Sequence, residues 1–66
     1  MKNRIRIFRA EFDMTQSQLA EHIGVSRQSI VAIENSKYVP STILALKMAK
    51  LFNTDVSNIF SLEDTD

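Results

Sequence analysis

Glycine and proline, the two residues that most often make tight turns, occur only once each in this chain of 66 residues, as Gly24 and Pro40. A chain with so few turn residues has little scope for β-hairpins. Its apolar residues recur mainly every three or four positions, which is the spacing of one helix face. We therefore predict an almost entirely helical domain, with one short strand pairing between residues 1–3 and 60–62, where apolar and polar residues alternate weakly.

The first, fourth and fifth of the five predicted helices follow from apolar spacing and from residues suited to helix ends. The first covers residues 3–12 and is ended by Asp13, because Asp tolerates the left-handed conformation that follows many helices. Its apolar stripe contains Ile5, Phe8 and Phe12. The fourth follows the cap Ser41, is apolar on most sides and is expected to be the central core helix, whereas the fifth is short and follows the cap Thr54. The fifth helix is anchored by Val56, Ile59 and Phe60.

The second and third helices are predicted with almost no connector between them. Thr15 is a good N-cap for a helix over residues 16–23, and Gly24 supplies the positive φ angle that ends it. Only one residue separates Gly24 from Ser26, the next good N-cap. The third helix, over residues 27–35, must therefore start at once and at a steep angle.

The small size and the composition exclude several classes of protein. A domain this short lies near the lower limit for folding alone, and without Cys it has neither disulfides nor a thiolate metal site. Tight helix packing or a partner subunit must supply its stability. No apolar run exceeds four residues, which excludes a membrane-spanning helix and the apolar core of a signal peptide. We expect a soluble, cytoplasmic protein.

The segment over residues 15–34, TQSQLAEHIGVSRQSIVAIE, carries the most informative pattern. Its caps, its turn and its apolar spacing together match the pattern of two helices joined by a tight turn. The matching positions, including the residue that follows the segment, are Thr15, Gln16, Leu19, Ala20, Gly24, Val25, Ser26, Ile30, Ile33, Glu34 and Asn35. In this register the segment resembles the helix-turn-helix of the Cro/C1 repressor family, also called the xenobiotic-response-element type. The resemblance implies an all-α, five-helix, lambda-repressor-like DNA-binding domain over residues 1–62. The helix-turn-helix then covers residues 15–35, and residues 63–66 form an acidic tail.

By this resemblance the helix over residues 27–35 is the recognition helix, which lies in the major groove of double-stranded DNA. The expected base contacts are Ser26, Arg27, Gln28, Val31 and Ala32. Arg can donate two hydrogen bonds to guanine, Gln can pair with adenine, and an apolar side chain can contact the thymine methyl. The residues expected to contact phosphate are Gln16, Asn35, Lys37 and Tyr38. Arg27 and Gln28 would, in isolation, be taken for solvated polar residues, and their register beside Ser26 favours DNA contact.

The resemblance also predicts structural roles for residues that do not contact DNA. Arg9 and Glu34 match the family's buried ion pair, which ties the first helix to the end of the third. Asp13 and Ser36 stand where the family often has Gly, so their turns are expected to carry strain. Two apolar residues in the first helix, where the family is often polar, are either core residues or part of a contact surface: Ile7 and Phe12.

No catalytic activity, cofactor or metal is expected. His22 is the only histidine, and one His without Cys completes neither a zinc site nor a nucleophilic triad. We interpret it as an exposed helix residue. The chain offers no second domain for a small-molecule effector.

Self-association is expected through the carboxyl-terminal end, where a short helix offers more apolar surface than a small monomer readily covers. The residues of this predicted homodimer interface are Val56, Ile59, Phe60 and Leu62. A twofold dimer places two recognition helices about 34 Å apart and predicts a palindromic operator.

The resulting hypothesis is a DNA-binding transcriptional regulator, acting as a repressor. Two alternatives stay open: the DNA-binding antitoxin of a toxin pair, and a protein-interaction module that has kept the fold and lost DNA. The second is disfavoured by the retained Arg27, Gln28, Lys37 and Tyr38.

The charge of the chain first argues against nucleic acid, because eight basic and eight acidic residues cancel. Residues 1–50, however, hold all eight basic residues and four acidic ones, a net charge of +4. Residues 51–66 hold the other four acidic residues and no basic one, a net charge of −4. A basic body facing phosphate, with the acidic end on the far or the dimer side, is the predicted orientation.

Overall fold

Five α-helices and two very short strands make up the fold in a computed structural model that describes residues 1–66. The elements are β1 (Lys2–Asn3), α1 (Ile5–Glu11), α2 (Gln16–Ile23), α3 (Arg27–Glu34), α4 (Thr42–Leu51), α5 (Val56–Ile59) and β2 (Phe60–Ser61). The strands pair antiparallel, with Lys2 opposite Ser61 and Asn3 opposite Phe60. The predicted fold class, including the terminal hairpin, is confirmed. None of the helices has the length and apolar composition needed to cross a membrane.

Side-chain caps start three of the helices where the sequence predicts them. The hydroxyl oxygens of Thr15, Ser26 and Ser41 each accept a backbone N–H three residues later, at 3.0, 3.2 and 3.2 Å. Thr15 also donates its own backbone N–H to the side chain of Gln18 at 2.9 Å, which completes a capping box. These caps satisfy backbone donors that a helix start otherwise leaves unpaired.

The predicted starts of the first and last helices are wrong. α1 begins at Ile5 because Asn3 belongs to β1, and the Asn3 side chain accepts the N–H of Ile5 at 3.3 Å. α5 has Asp55 at its N-cap position, without a side-chain cap, rather than Thr54. The Thr54 hydroxyl instead accepts a hydrogen bond from the Asn58 side chain at 2.9 Å.

The core is built from all five helices and β2. Its twelve buried residues are Ile5, Leu19, Ala20, Ile23, Ile30, Ile33, Leu44, Met48, Ala49, Phe52, Ile59 and Phe60. The inward positions expected for α3, Ile30 and Ile33, are among them. The rings of Phe8 and Phe12 both contact Phe52, each with centroids 5.3 Å apart. Phe12 therefore packs on the core with one side and remains partly exposed with the other.

Four turns place a residue in the left-handed region. Gly24 has φ 78°, as expected, and a Cβ there would meet nothing within 4 Å, so the backbone conformation and not space favours glycine. Asp13 and Ser36 have φ 54° and 59°, which agrees with the expected strain. Asn53, after α4, is a fourth such residue that the sequence pattern did not single out.

The apolar surface of the monomer is only partly where the sequence predicts it. Ile59 and Phe60 are buried in the core, and Val56 is half-buried. Leu62 is 79% exposed, as the dimer prediction requires. The other large exposed apolar residues all precede α5 in the chain: Ile7, Phe12, Tyr38, Val39, Ile43 and Leu46. Ile7 is therefore a surface residue and not part of the core. α4 is therefore a core helix on one face only.

The acidic tail is ordered against the amino terminus. Asp66 accepts the N–H of Glu63 at 2.8 Å and forms an ion pair with the Met1 ammonium at 3.1 Å. The Met1 carbonyl accepts a hydrogen bond from Ser36 at 3.0 Å. The acidic tail is therefore held by Met1, which itself contacts the loop after α3.

Candidate nucleic-acid interface

α2 and α3 are joined by a tight turn in which one backbone carbonyl accepts two hydrogen bonds. The N–H groups of Gly24 and Val25 both donate to the carbonyl of Ala20, at 2.9 and 3.0 Å. Ala20 is itself buried, which keeps the space between the two helices small. With Ile30 and Ile33 packed into the core, the opposite face of α3 is held outward.

The outward face of α3 carries the residues predicted to contact bases. Arg27 and Gln28 are exposed, whereas Val31 and Ala32 are half-buried at the side of the helix. The Ser26 hydroxyl is engaged in capping and also lies 3.1 Å from the Ser29 hydroxyl. Of the five predicted residues, Arg27 and Gln28 therefore present the freest hydrogen-bonding groups.

Tyr38 is brought to this same face. A shallow depression beside α3 is lined by Ser26, Gln28, Ser29, Ala32 and Tyr38. The loop after α3 thus places a predicted phosphate contact next to three predicted base contacts. Ser29 was not predicted from the sequence, and its place in the depression becomes visible only once the loop is folded against α3.

Gln16 of α2 forms hydrogen bonds with both ends of α3. Its side-chain oxygen accepts a hydrogen bond from Arg27 at 3.3 Å, and its side-chain nitrogen donates to Glu34 at 3.2 Å. One amide therefore contacts the exposed base-contact candidate and the buried acid together. This arrangement restricts the orientations of Arg27 before any ligand arrives.

Glu34 is the most heavily hydrogen-bonded side chain of the site. Its carboxylate, 1% exposed, accepts two hydrogen bonds from Arg9, at 2.7 and 3.2 Å. Arg6 donates a third at 3.3 Å. Arg9 also donates to the carbonyl of Met14 at 3.0 Å. The expected ion pair between Arg9 and Glu34 is present and ties α1 to α3, and the hydrogen bond to Met14 ties α1 to the turn before α2.

The protonation of Glu34 reflects these contacts. Burial by itself raises the pKa of Glu34, but hydrogen bonds from Arg9 and Gln16 and the charge of Arg9 lower it more. The pKa of Glu34 therefore lies below its ordinary value, and the carboxylate is charged at neutral pH. No buried side-chain nitrogen or oxygen is left without a hydrogen-bond partner.

The remaining phosphate-contact candidates lie at the carboxyl end of α3. Asn35 and Lys37 are both exposed, and Lys37 has no ion-pair partner. The Asn35 side chain accepts a hydrogen bond from Arg6 at 3.3 Å. Arg6 was missed by the sequence analysis because its two partners lie 28 and 29 residues away in the chain.

The structure groups no three potential metal-ligating side chains together. His22 is exposed on α2, beside Gln18 and Glu21. It lies outside the network that links Arg9, Glu34, Gln16 and Arg27.

Comparison with known proteins agrees with this geometry. A family model described as helix-turn-helix matches residues 5–59, which is most of the chain. The chain belongs to the Cro/C1-type helix-turn-helix family. The match includes α1 to α5 and leaves out β1, β2 and the acidic tail.

Relatives match all or most of this chain. An uncharacterized HTH-type transcriptional regulator of Methanocaldococcus jannaschii is 48% identical over 66 residues, which is all of both chains. The uncharacterized HTH-type transcriptional regulator YgzD of Bacillus subtilis is 45% identical over 64 residues, covering 97% of each chain. The ImmF control region 10 kDa protein of Bacillus phage phi105 is 37% identical over 49 residues, or 74% of this chain and 54% of the phage protein.

Replacing Glu34 with Gln should lower the free energy of unfolding by about 3 kcal/mol at pH 7, because it leaves the partly buried Arg9 without its counter-charge. The folded-state pKa of Glu34 is depressed, so its stabilisation is full above the unfolded pKa of about 4.3 and is lost as pH falls through the folded pKa. The difference between wild type and E34Q should therefore shrink at acid pH. Urea unfolding followed by circular dichroism at pH 7 and pH 3 measures both effects.

The matched control is Glu11→Gln on α1. Glu11 is exposed and makes no side-chain hydrogen bond, so its replacement should change stability by at most about 0.5 kcal/mol. Equal losses for the two variants would contradict the role assigned to Glu34.

Proposed function

We propose that this protein is a sequence-specific regulator of transcription that binds double-stranded DNA through α3 and has no catalytic activity. The observation that carries the proposal is the hydrogen bond between Arg27 and Gln16 at the amino end of an otherwise free helix face. An Arg held in this way can donate two hydrogen bonds to a guanine without first being ordered. A solvated polar residue on a free surface needs no such partner.

The surroundings of α3 suit the backbone of DNA as well as its bases. Lys37 and Tyr38 follow the carboxyl end of the helix, and Gln16 stands at the amino end of α2, where backbone N–H groups favour anions. Contacts of this kind fix the position of a protein on the duplex, whereas Arg27 and Gln28 would distinguish its sequence. Membership of a family of regulators supports the same function.

Replacing Arg27 and Gln28 together with Ala should remove the preference for the operator over random DNA, because the groups that distinguish bases are lost. Non-specific binding at low salt should remain, since the phosphate contacts are intact. Fluorescence anisotropy with a selected duplex and a scrambled duplex measures the ratio of the two affinities.

A double replacement on the outer face of α2, Glu21→Ala with His22→Ala, serves as the control. Both residues are exposed and lie away from α3 in the proposed complex. Preference for the operator should persist in this control. If the variant with Arg27 and Gln28 replaced still prefers the operator as strongly as wild type does, these two residues do not distinguish the bases.

We also propose a homodimer, formed through a surface that is wider than the one predicted from the sequence. An apolar groove beside α4 is lined by Met1, Val39, Pro40, Ser41, Thr42, Ala45, Leu46, Val56 and Phe60. Leu62 projects two residues beyond the groove residue Phe60. A twofold interface brings the same face of both copies together, so the exposed Leu62 of one copy would pack into the groove of the other. A second copy seated there would leave α3 of both copies free to contact one palindromic operator.

The dimer can be tested with Leu46→Glu, which puts a charge into the groove at a residue that is 56% exposed in the monomer. Wild type at tens of micromolar should sediment at about twice the chain mass of 7.5 kDa, and L46E at the chain mass. Ser57→Glu introduces the same charge on α5 outside the groove lining and should remain dimeric. A monomeric wild type, free and on DNA, would refute this part of the proposal.

Repression is the mode of action that we propose. A single small domain seated on an operator can exclude other proteins from the same DNA, and no further domain is needed for this effect. We also propose that the protein works in the cytoplasm, where the DNA of organisms like those of its relatives is found.

A further inference from the structure

Arg6 is the one side chain at the carboxyl end of α3 that none of the functions above explains. It donates to Glu34 at 3.3 Å and to Asn35 at 3.3 Å, and its side chain is 68% exposed. The Arg9 side chain, which forms the closer ion pair with Glu34, is only 16% exposed. The two arginines therefore share one carboxylate in very different environments.

Arg6 and Arg9 bring two positive charges to the single negative charge of Glu34. Glu34 carries one negative charge, and Arg9 already satisfies it with two hydrogen bonds. The second positive charge has no acid of its own, and Arg6 displays it to solvent. An ion pair at 3.3 Å with one partner this exposed contributes little to stability, so the ion pair with Glu34 is a weak reason for an Arg here.

The position of Arg6 indicates which ligand would use this charge. Asn35, which accepts a hydrogen bond from Arg6, is a predicted phosphate contact. Lys37, which has no ion-pair partner, follows two residues later. The carboxyl end of a helix repels anions through its dipole, so an anion can bind there only if side chains supply the positive charge. Arg6 supplies it, and its guanidinium retains N–H donors beyond the two already used.

We infer that Arg6 binds a phosphate of the DNA backbone beside the carboxyl end of α3. The hydrogen bond to Asn35 orients the guanidinium, and its free N–H groups contact the phosphate oxygens. The contact adds affinity without sequence preference, because phosphates are the same at every base pair. This inference rests on the proposed DNA binding and extends it from the α2–α3 unit to α1.

The test compares the salt dependence of DNA binding for wild type, Arg6→Gln and Arg6→Lys, using an operator duplex obtained by selection from random DNA. The logarithm of the affinity falls linearly with the logarithm of the salt concentration. Each lost phosphate contact should make this slope less steep by about 0.9. Between 50 and 200 mM salt, wild type should then lose about 3.5-fold more affinity per subunit than R6Q, or about 12-fold more for a dimer. R6K should keep the wild-type slope.

Lys50→Gln is the control for charge alone. Lys50 is an exposed residue in the last turn of α4, and its replacement changes the net charge by the same amount. Its slope should stay at the wild-type value. Arg6→Gln should also weaken operator and scrambled duplexes by the same factor, and circular dichroism should show an unchanged helical spectrum.

The outcomes separate the two proposals. A wild type that binds the operator, with an R6Q slope equal to that of wild type or of K50Q, overturns the inference about Arg6 alone. A larger loss on the operator than on the scrambled duplex overturns it too, because Arg6 would then distinguish bases. A wild type that binds no DNA at 50 mM salt overturns the proposed function, and the inference about Arg6 with it.

Discussion

The buried carboxylate of Glu34 is the interaction on which the arrangement of the helices depends most. Arg9 of α1 and Gln16 of α2 both donate to it, and Glu34 itself ends α3. Removing a carboxylate from water costs several kcal/mol, and the cost is offset only when its oxygens are well hydrogen-bonded. Displacing any of the three helices would leave part of that charge unpaired. Glu34 therefore favours this arrangement of the three helices over arrangements in which its carboxylate lacks partners.

This constraint matters because the domain is small. Twelve buried residues make up the core, and no disulfide supports it. Recognition of DNA nevertheless requires α3 to be held rigidly, since misplaced side chains lose hydrogen bonds to base edges. Glu34 holds one end of α3, and the Ser26 cap with the turn at Gly24 holds the other. Gln16 joins the two ends, because it contacts both Glu34 and Arg27.

Local signals in the sequence were sufficient for most of the fold. Thr15, Ser26 and Ser41 cap helices as predicted, and Gly24 has the left-handed conformation that its place between two helices requires. The start of α5 was predicted one residue early, because Thr54 and Asp55 are both good cap residues and only the packing of the helix distinguishes them. Periodicity predicts which residues are apolar on a helix face.

Periodicity does not say which apolar face finds a partner. Ile59 and Phe60 were assigned to a surface, yet the hairpin and α5 fold them into the core, and Leu46 of the supposed core helix lies outside. The network around Glu34 was partly predictable, because the resemblance to the family implied its pairing with Arg9. The part played by Arg6 was not predictable from local sequence, because its partners come from the end of α3 and meet it only in the folded chain.

The central claim is that this arrangement holds α3 in position to distinguish DNA sequences. Selection of duplexes from a random pool by the purified protein, followed by sequencing, tests it most directly. The account predicts enrichment of a twofold-symmetric motif with half-site centres about 10 base pairs apart and a guanine within each half-site. A pool that shows no enriched motif after repeated rounds, although the protein is folded, would contradict it.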